Sequence, residues 1–155
     1  MDLGDIVRID GIIPKLAATS KKQVLHELAE FASDKTGCPP REIFDTLLQR
    51  ERLGSTGLGR GIAIPHIKLR AIDDIVCLFA RVPEPIDFEA IDGEPVDLIF
   101  LLLAPEHASG DHLKALSRIS RLMRVPSALD ALRSAPSAAA IHEVLASDAK
   151  APHAA

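Results

Sequence analysis

The order of patterns along this 155-residue chain predicts an α/β fold, a sheet covered by helices. Two helical patterns come first, strand-like runs occupy the middle, and three helical patterns close the chain, with no internal repeat. One middle run, "PVDLIFLLLAP", is apolar almost throughout yet too short to cross a membrane. That is how a strand buried on both faces reads, although periodicity alone does not separate it from a buried helix. The length suits one domain, with a core large enough to bury most of its unfolded-state surface.

Residues 3 to 18 hold short apolar pieces around "IDGIIPKLA", a lead-in with room for one strand. From Ser20, an N-cap residue, the spacing of Val24, Leu25, Leu28, Ala29 and Ala32 predicts a helix that Gly37 ends. Pro39 and Pro40 suit the first turn of a second helix, with Ile43, Phe44, Leu47 and Leu48 apolar and Gly54 as its stop. A glycine-rich loop follows, then "IAIPHIKL" and "IDDIVCLFARV", both read as strands. The turn-rich "PEPIDFEAIDGEP" has room for a short edge strand before the central apolar run. After Ala104 a helix carries Leu113, Leu116, Ile119, Ser120 and Met123 at helical spacing. Pro126 breaks it and opens another through Leu129 and Leu132, and Ser137 opens the last through Ile141, Val144 and Leu145. These elements place one domain at residues 1–148, with 149–155 a disordered tail.

Composition narrows the function. Net charge is −4, against the basic footprint of a nucleic-acid binder, and with five Phe and no Trp or Tyr there is little to stack bases on. Cys38 and Cys77 lie far apart, outside any CxxC or Cys/His ligand spacing, so neither a disulfide framework nor a structural metal is indicated. Unpaired thiols, an acidic N-terminus without a signal-peptide core and the lack of a membrane-length apolar stretch predict a cytoplasmic protein that is not integral to a membrane.

The segment "GSTGLGRGIAIPHIKL" sets four glycines in eight positions ahead of Pro65 and His66. It is not a P-loop: Gly54 and Gly59 have the glycine spacing, but Arg60 and Gly61 stand where Lys and Ser/Thr are needed. It also runs from helix to strand, so no helix N-terminus faces a nucleotide. Gly57, Gly59 and Gly61 do not match the dinucleotide fingerprint either. Positive φ in a surface loop accounts for the glycines but leaves His66 and the Ser55-Thr56 pair without a role.

From Arg50 to Leu69, "RERLGSTGLGRGIAIPHIKL" resembles the active-site signature of phosphotransferase-system IIA domains of the mannitol/fructose type, most strongly the nitrogen-regulatory branch. "GSTG", a glycine-rich turn and "GIAIPH" come in that order. The likeness extends more loosely through "LLLAPEH" and "DHLKALSRIS" to the terminal helices. It implies a three-layer domain whose mixed sheet is flanked by helices. It also implies that His66 accepts a phosphoryl group from a small HPr-like phosphocarrier and that no metal or cofactor is needed. The reading is a nitrogen-regulatory-type phosphocarrier that regulates partners according to its phosphorylation state, and two alternatives stay open: a fructose- or mannitol-type sugar IIA passing phosphate to a IIB domain, and a purely binding regulatory protein without onward phosphate transfer. The lack of attached IIB or IIC segments leans away from the first.

Phosphoryl transfer passes through a loose transition state, so a protein contributes mainly position and positive or hydrogen-bonding groups. Arg50, sixteen positions before His66 as in the family, supplies a planar fork, with Arg52 as a competitor. Ser55, Thr56 and Gly57 are candidates for a phosphate cradle, or for ordinary turn hydrogen bonds. The resemblance places His112, in the first turn of a helix, beside His66, where helix N-terminal amides favour an anion. His107 reads as loop, and His26, His142 and His153 as helix-surface or tail residues. Small residues often follow the active histidine in this family, so Ile67 is expected to restrict the backbone or shield one side of the ring. Arg60 reads as a solvated charge, and Lys114, Arg118, Arg121 and Arg124 as a wet basic stripe.

Overall fold

The computed structural model describes residues 3–107 and 110–148. The expected tail at 149–155 lies outside the described residues, as does His153. Six strands form one mixed sheet in the order β1-β5-β6-β3-β2, with β4 also pairing β6.

The apolar run becomes β6 (Val96–Pro105), the central strand. Alternation along it explains why it is apolar throughout. Leu98, Phe100 and Leu102 join one core, whereas Ile99, Leu101 and Leu103 join the other. The second of these lies under α2 (Lys21–Thr36) and α3 (Pro40–Leu53), through Val24, Leu25, Leu28, Ile43 and Leu47. On the opposite face, α1 (Leu3–Ile6), α4 (Asp111–Met123), α5 (Pro126–Ser134) and α6 (Ala138–Asp148) bury Leu3, Ile119, Leu122, Leu132, Ile141 and Leu145. The three layers and the mixed sheet are as expected.

Local chemistry sets most helix ends where the sequence places them. Ser20 accepts a hydrogen bond from the Gln23 amide at 3.1 Å, and Gly37 closes α2 with φ 79°. Pro40 opens α3 and Gly54 ends it. At α4 the expected stripe is rotated: Ala115, Ile119 and Leu122 are the buried positions, and Leu113 is exposed.

The strands depart further. The lead-in is α1, a 3-10 turn (Ile9–Gly11) and β1 (Ile12–Ile13), which runs parallel to β5. β5 (Val76–Ile86) starts later than expected and continues through Pro83 and Pro85 to pair Ile86 with Val96 after a register shift. Those prolines are tolerated because β1 reaches only Phe79 and Ala80, leaving that end of β5 an edge. "IAIPHIKL" is two strands, β3 (Ile62–Ala63) and β4 (His66–Leu69), both parallel to β6.

The glycine-rich loop is a hairpin. β2 (Gly57–Gly59) pairs antiparallel with β3 across a two-residue turn, Arg60-Gly61, with φ of 57° and 80°. Two positive φ values match the twist that tight hairpins require, and Gly61 meets this without strain. The Asp92 carboxylate accepts the amide hydrogens of Arg60 and Glu94, and these bonds hold its pKa below the usual value.

Candidate functional site

Pro65 separates β3 from β4 because it has no N–H for a ladder, yet its carbonyl accepts the Leu102 amide at 2.9 Å. The next residue, His66, therefore lies opposite Leu102 at the first position of β4. Among the described residues β4 pairs with β6 alone, so its other edge is open. Through this edge α3 from one helical layer and α4 from the other reach the same place.

A cavity of about 720 Å³ occupies that position. The last turns of α3 contribute Thr46, Gln49, Arg50, Arg52 and Leu53; β4 contributes His66, Ile67 and Lys68. Leu102 and Ala104 of β6 and His112 of α4 complete the lining. Arg50, His66 and His112 are thus brought together from three separate elements. The lining holds two arginines and a lysine and no carboxylate, so it suits an anion.

His66 is half-buried, and its Nδ1 lies 2.8 Å from the Ile64 carbonyl oxygen. A carbonyl only accepts, so Nδ1 carries the proton in this contact and Nε2 keeps its lone pair in the neutral ring. Arg50 is half-buried, and its Nη1 donates to the Gly54 carbonyl at 2.9 Å. Arg52 is more exposed. His112 sits in the first turn of α4, whose N-cap, Gly110, offers no side-chain cap. The Nδ1 of His112 is buried without a hydrogen-bond partner among the described residues.

The cradle candidates lie outside this lining. The Ser55 hydroxyl donates to the Phe88 carbonyl at 2.6 Å and accepts the Gly57 amide at 3.0 Å. Thr56, only 2% exposed, gives its amide and hydroxyl to Glu51. A Cβ on Gly57 would lie 2.9 Å from the Ala90 Cβ, so glycine is needed there for close packing. Ile67, expected to restrict the backbone or shield the ring, alternates away from His66 along β4 and packs into the core with α2 and α3, while still forming part of the cavity wall. Arg60 points elsewhere, its guanidinium donating to the Met123 carbonyl at 2.8 Å. His107 is exposed in a turn and, with His112 and Asp111, lines a smaller cavity of about 170 Å³. His142, expected on a helix surface, ties α6 to α1 through a 2.8 Å contact with the Gly4 carbonyl.

Two further residues of this region carry a signal in the sequence. Lys68 is two positions after His66, hence on the same face of β4. Glu51 follows Ile43 and Leu47 at helical spacing, which puts a carboxylate on the buried stripe of α3.

Among the described residues no helix is long and apolar enough to cross a membrane, and no group of three or more His, Cys, Asp or Glu is arranged to hold a metal ion. Residues 5–148 match the family model described as "Phosphoenolpyruvate-dependent sugar phosphotransferase system, EIIA 2". A "Nitrogen regulatory protein" of Bradyrhizobium diazoefficiens is 53% identical over 146 residues, 94% of this chain and 95% of that protein. The crystal structure of nitrogen regulatory protein IIA-Ntr from Neisseria meningitidis superposes with a TM-score of 0.86 at 36% identity, over 92% of this chain and 97% of that one. IIA mannitol from Escherichia coli has the same fold, with a TM-score of 0.74 at 22% identity over 89% and 97% of the two chains.

Proposed function

Because the chain belongs to the phosphotransferase-system EIIA 2 family, we propose that it is a nitrogen-regulatory-type phosphocarrier, taking a phosphoryl group on His66 Nε2 from a phosphorylated HPr-like protein. The observation that carries this reading is the contact between His66 Nδ1 and the Ile64 carbonyl, beside a cavity lined by Arg50, Arg52, Lys68 and His112.

The Nε2 lone pair attacks phosphorus, the bond from phosphorus to the donor's leaving atom breaks, and that electron pair returns to the donor. No general base is needed, because the attacking nitrogen carries no proton. As positive charge develops on the His66 ring, the Nδ1–H bond to the Ile64 carbonyl strengthens. Arg50 presents a planar fork to the equatorial oxygens, and His112, which lines the same cavity, adds a ring N–H donor. The N-terminus of α4 adds a favourable dipole for the phosphoryl dianion.

Phosphorylation adds charge to this otherwise cationic face and so alters which target proteins bind it. The nitrogen-regulatory reading is favoured over a sugar-specific one by 53% identity to a nitrogen regulatory protein against 34% to a fructose-specific EIIA component of Haloferax volcanii. Intact mass spectrometry after incubation with phosphoenolpyruvate, enzyme I and the HPr-like carrier tests it. One acid-labile phosphoryl adduct on the wild type and none on His66→Ala supports the reading. An unmodified wild type beside a demonstrably charged donor rejects it.

A further inference from the structure

We propose that Glu51 is a positioning residue for His66, acting through Thr56 and Ile64; this rests on the phosphocarrier reading above. Glu51 is the charged residue that α3 buries, with its side chain 3% exposed. Its carboxylate accepts the Thr56 amide at 3.2 Å and the Thr56 hydroxyl, and lies 2.7 Å from Lys21 Nζ. One carboxylate therefore fixes Thr56 at both its backbone and its side chain, which sets the direction of the Thr56 carbonyl.

That carbonyl accepts the Ile64 amide at 3.0 Å, and the Ile64 carbonyl in turn receives His66 Nδ1–H at 2.8 Å. The relay runs from Lys21 on α2, through Glu51 on α3 and the Ser55-Thr56 turn, to the ring on β4. Its last link decides which nitrogen of His66 keeps the lone pair. Ser55 and Gly57 brace the neighbouring backbone against Phe88 and Ala90, and Glu51 is the group that holds Thr56 between them. The same last turn of α3 carries Arg50, whose guanidinium closes on Gly54, so Glu51 also fixes the turn from which Arg50 reaches the cavity. A well-packed apolar residue commonly matches a buried charge in stability, so positioning gives this carboxylate a distinct reason to be there. It also gives Thr56 a role that a direct phosphate contact does not.

The experiment compares the imidazole 15N spectra of wild type, Glu51→Gln, Thr56→Val and Thr56→Ser, at a pH where the ring is neutral, with their rates of phosphorylation by the charged HPr-like donor. The wild type shows a single His66 tautomer, protonated at Nδ1. Glu51→Gln and Thr56→Val show a mixture of tautomers, and phosphorylation slows about tenfold to a hundredfold, the scale of a misplaced reacting group. Thr56→Ser, which keeps the hydroxyl, restores both readouts. Thr56→Val retains volume and the amide contact, so it decides the matter even if Glu51→Gln does not fold. Wild-type ring spectra in folded variants overturn the proposal whatever the rates, because a merely structural role leaves the tautomer unchanged. A wild type that is never phosphorylated rejects the phosphocarrier reading, while the spectra still decide the role of Glu51.

Discussion

Arg50 and Arg52 both line the cavity, but they are held differently. Arg50 is half-buried and braced against Gly54, whereas Arg52 is exposed and has no side-chain hydrogen bond or ion pair among the described residues. A guanidinium held in place stabilises developing charge at lower reorganisation cost than one that must first be ordered. Arg50→Ala should slow phosphorylation by about a hundredfold, the scale of removing one preorganised donor, with Arg52→Ala changing it little. Rapid-quench phosphorylation of the two variants measures the difference. Arg50→Lys should recover only part of the rate, since an ammonium keeps the charge but loses the fork. Lys21 is the counterpart on the buried side: removing it leaves Glu51 without a cation at 2.7 Å. Lys21→Met should lower unfolding free energy by about 3 kcal/mol, as for a broken buried pair, in urea denaturation at neutral pH.

The hairpin of β2 and β3 shows how an element serves a site that it does not line. Arg133 of α5 donates to the Arg60 carbonyl at 2.6 Å and pairs with Asp97 at 2.8 Å, fastening the turn to α5 and to β6. Gly61 packs against this clamp with φ 80°, and a Cβ there would collide with Arg133 Nη2 and lie 2.7 Å from Asp97 Oδ1. Gly61→Ala should therefore cost about 1–3 kcal/mol, the range for a strained backbone position, and thermal unfolding checks it. Elements governed by nearby residues were legible: the Ser20 cap, the Gly37 and Gly54 stops and the proline starts each act within a few positions. The hairpin was not, because its turn has Arg60 where Asn or Asp usually signals two positive φ values. The partners of Ser55 and Gly57, Phe88 and Ala90, are more than thirty positions away. The sequence therefore leaves the Ser55 hydroxyl and the Gly57 amide open as phosphate-cradle candidates. That His66 and Arg50 line one cavity follows a signature that holds them in one continuous stretch, and His112 joins them as the family resemblance implies.

At the scale of the molecule, the central sheet separates two cores, each holding one thiol: Cys38 with α2 and α3, Cys77 with the other helical layer. Both are buried, so iodoacetamide should label neither in the folded protein and both in denaturant. Burial pushes the Cys77 thiol up from 9.0 to about 12, which means that the fold favours its protonated form. Its contribution to stability is therefore complete below the unfolded value of 9.0 and is lost as pH rises from there toward about 12. Denaturation midpoints should fall over that interval in the wild type and fall less in Cys77→Ala. The sheet also joins the two layers at the site, since Arg50 of one layer and His112 of the other line the same cavity as His66 at the open edge of β4. The most direct test of this account is 15N and 31P NMR of 15N-histidine-labelled protein after phosphorylation by enzyme I and the HPr-like carrier. The account predicts a single phosphohistidine, at His66, with phosphorus bonded to Nε2 and the proton on Nδ1; phosphate on Nδ1, or on another histidine, would contradict it.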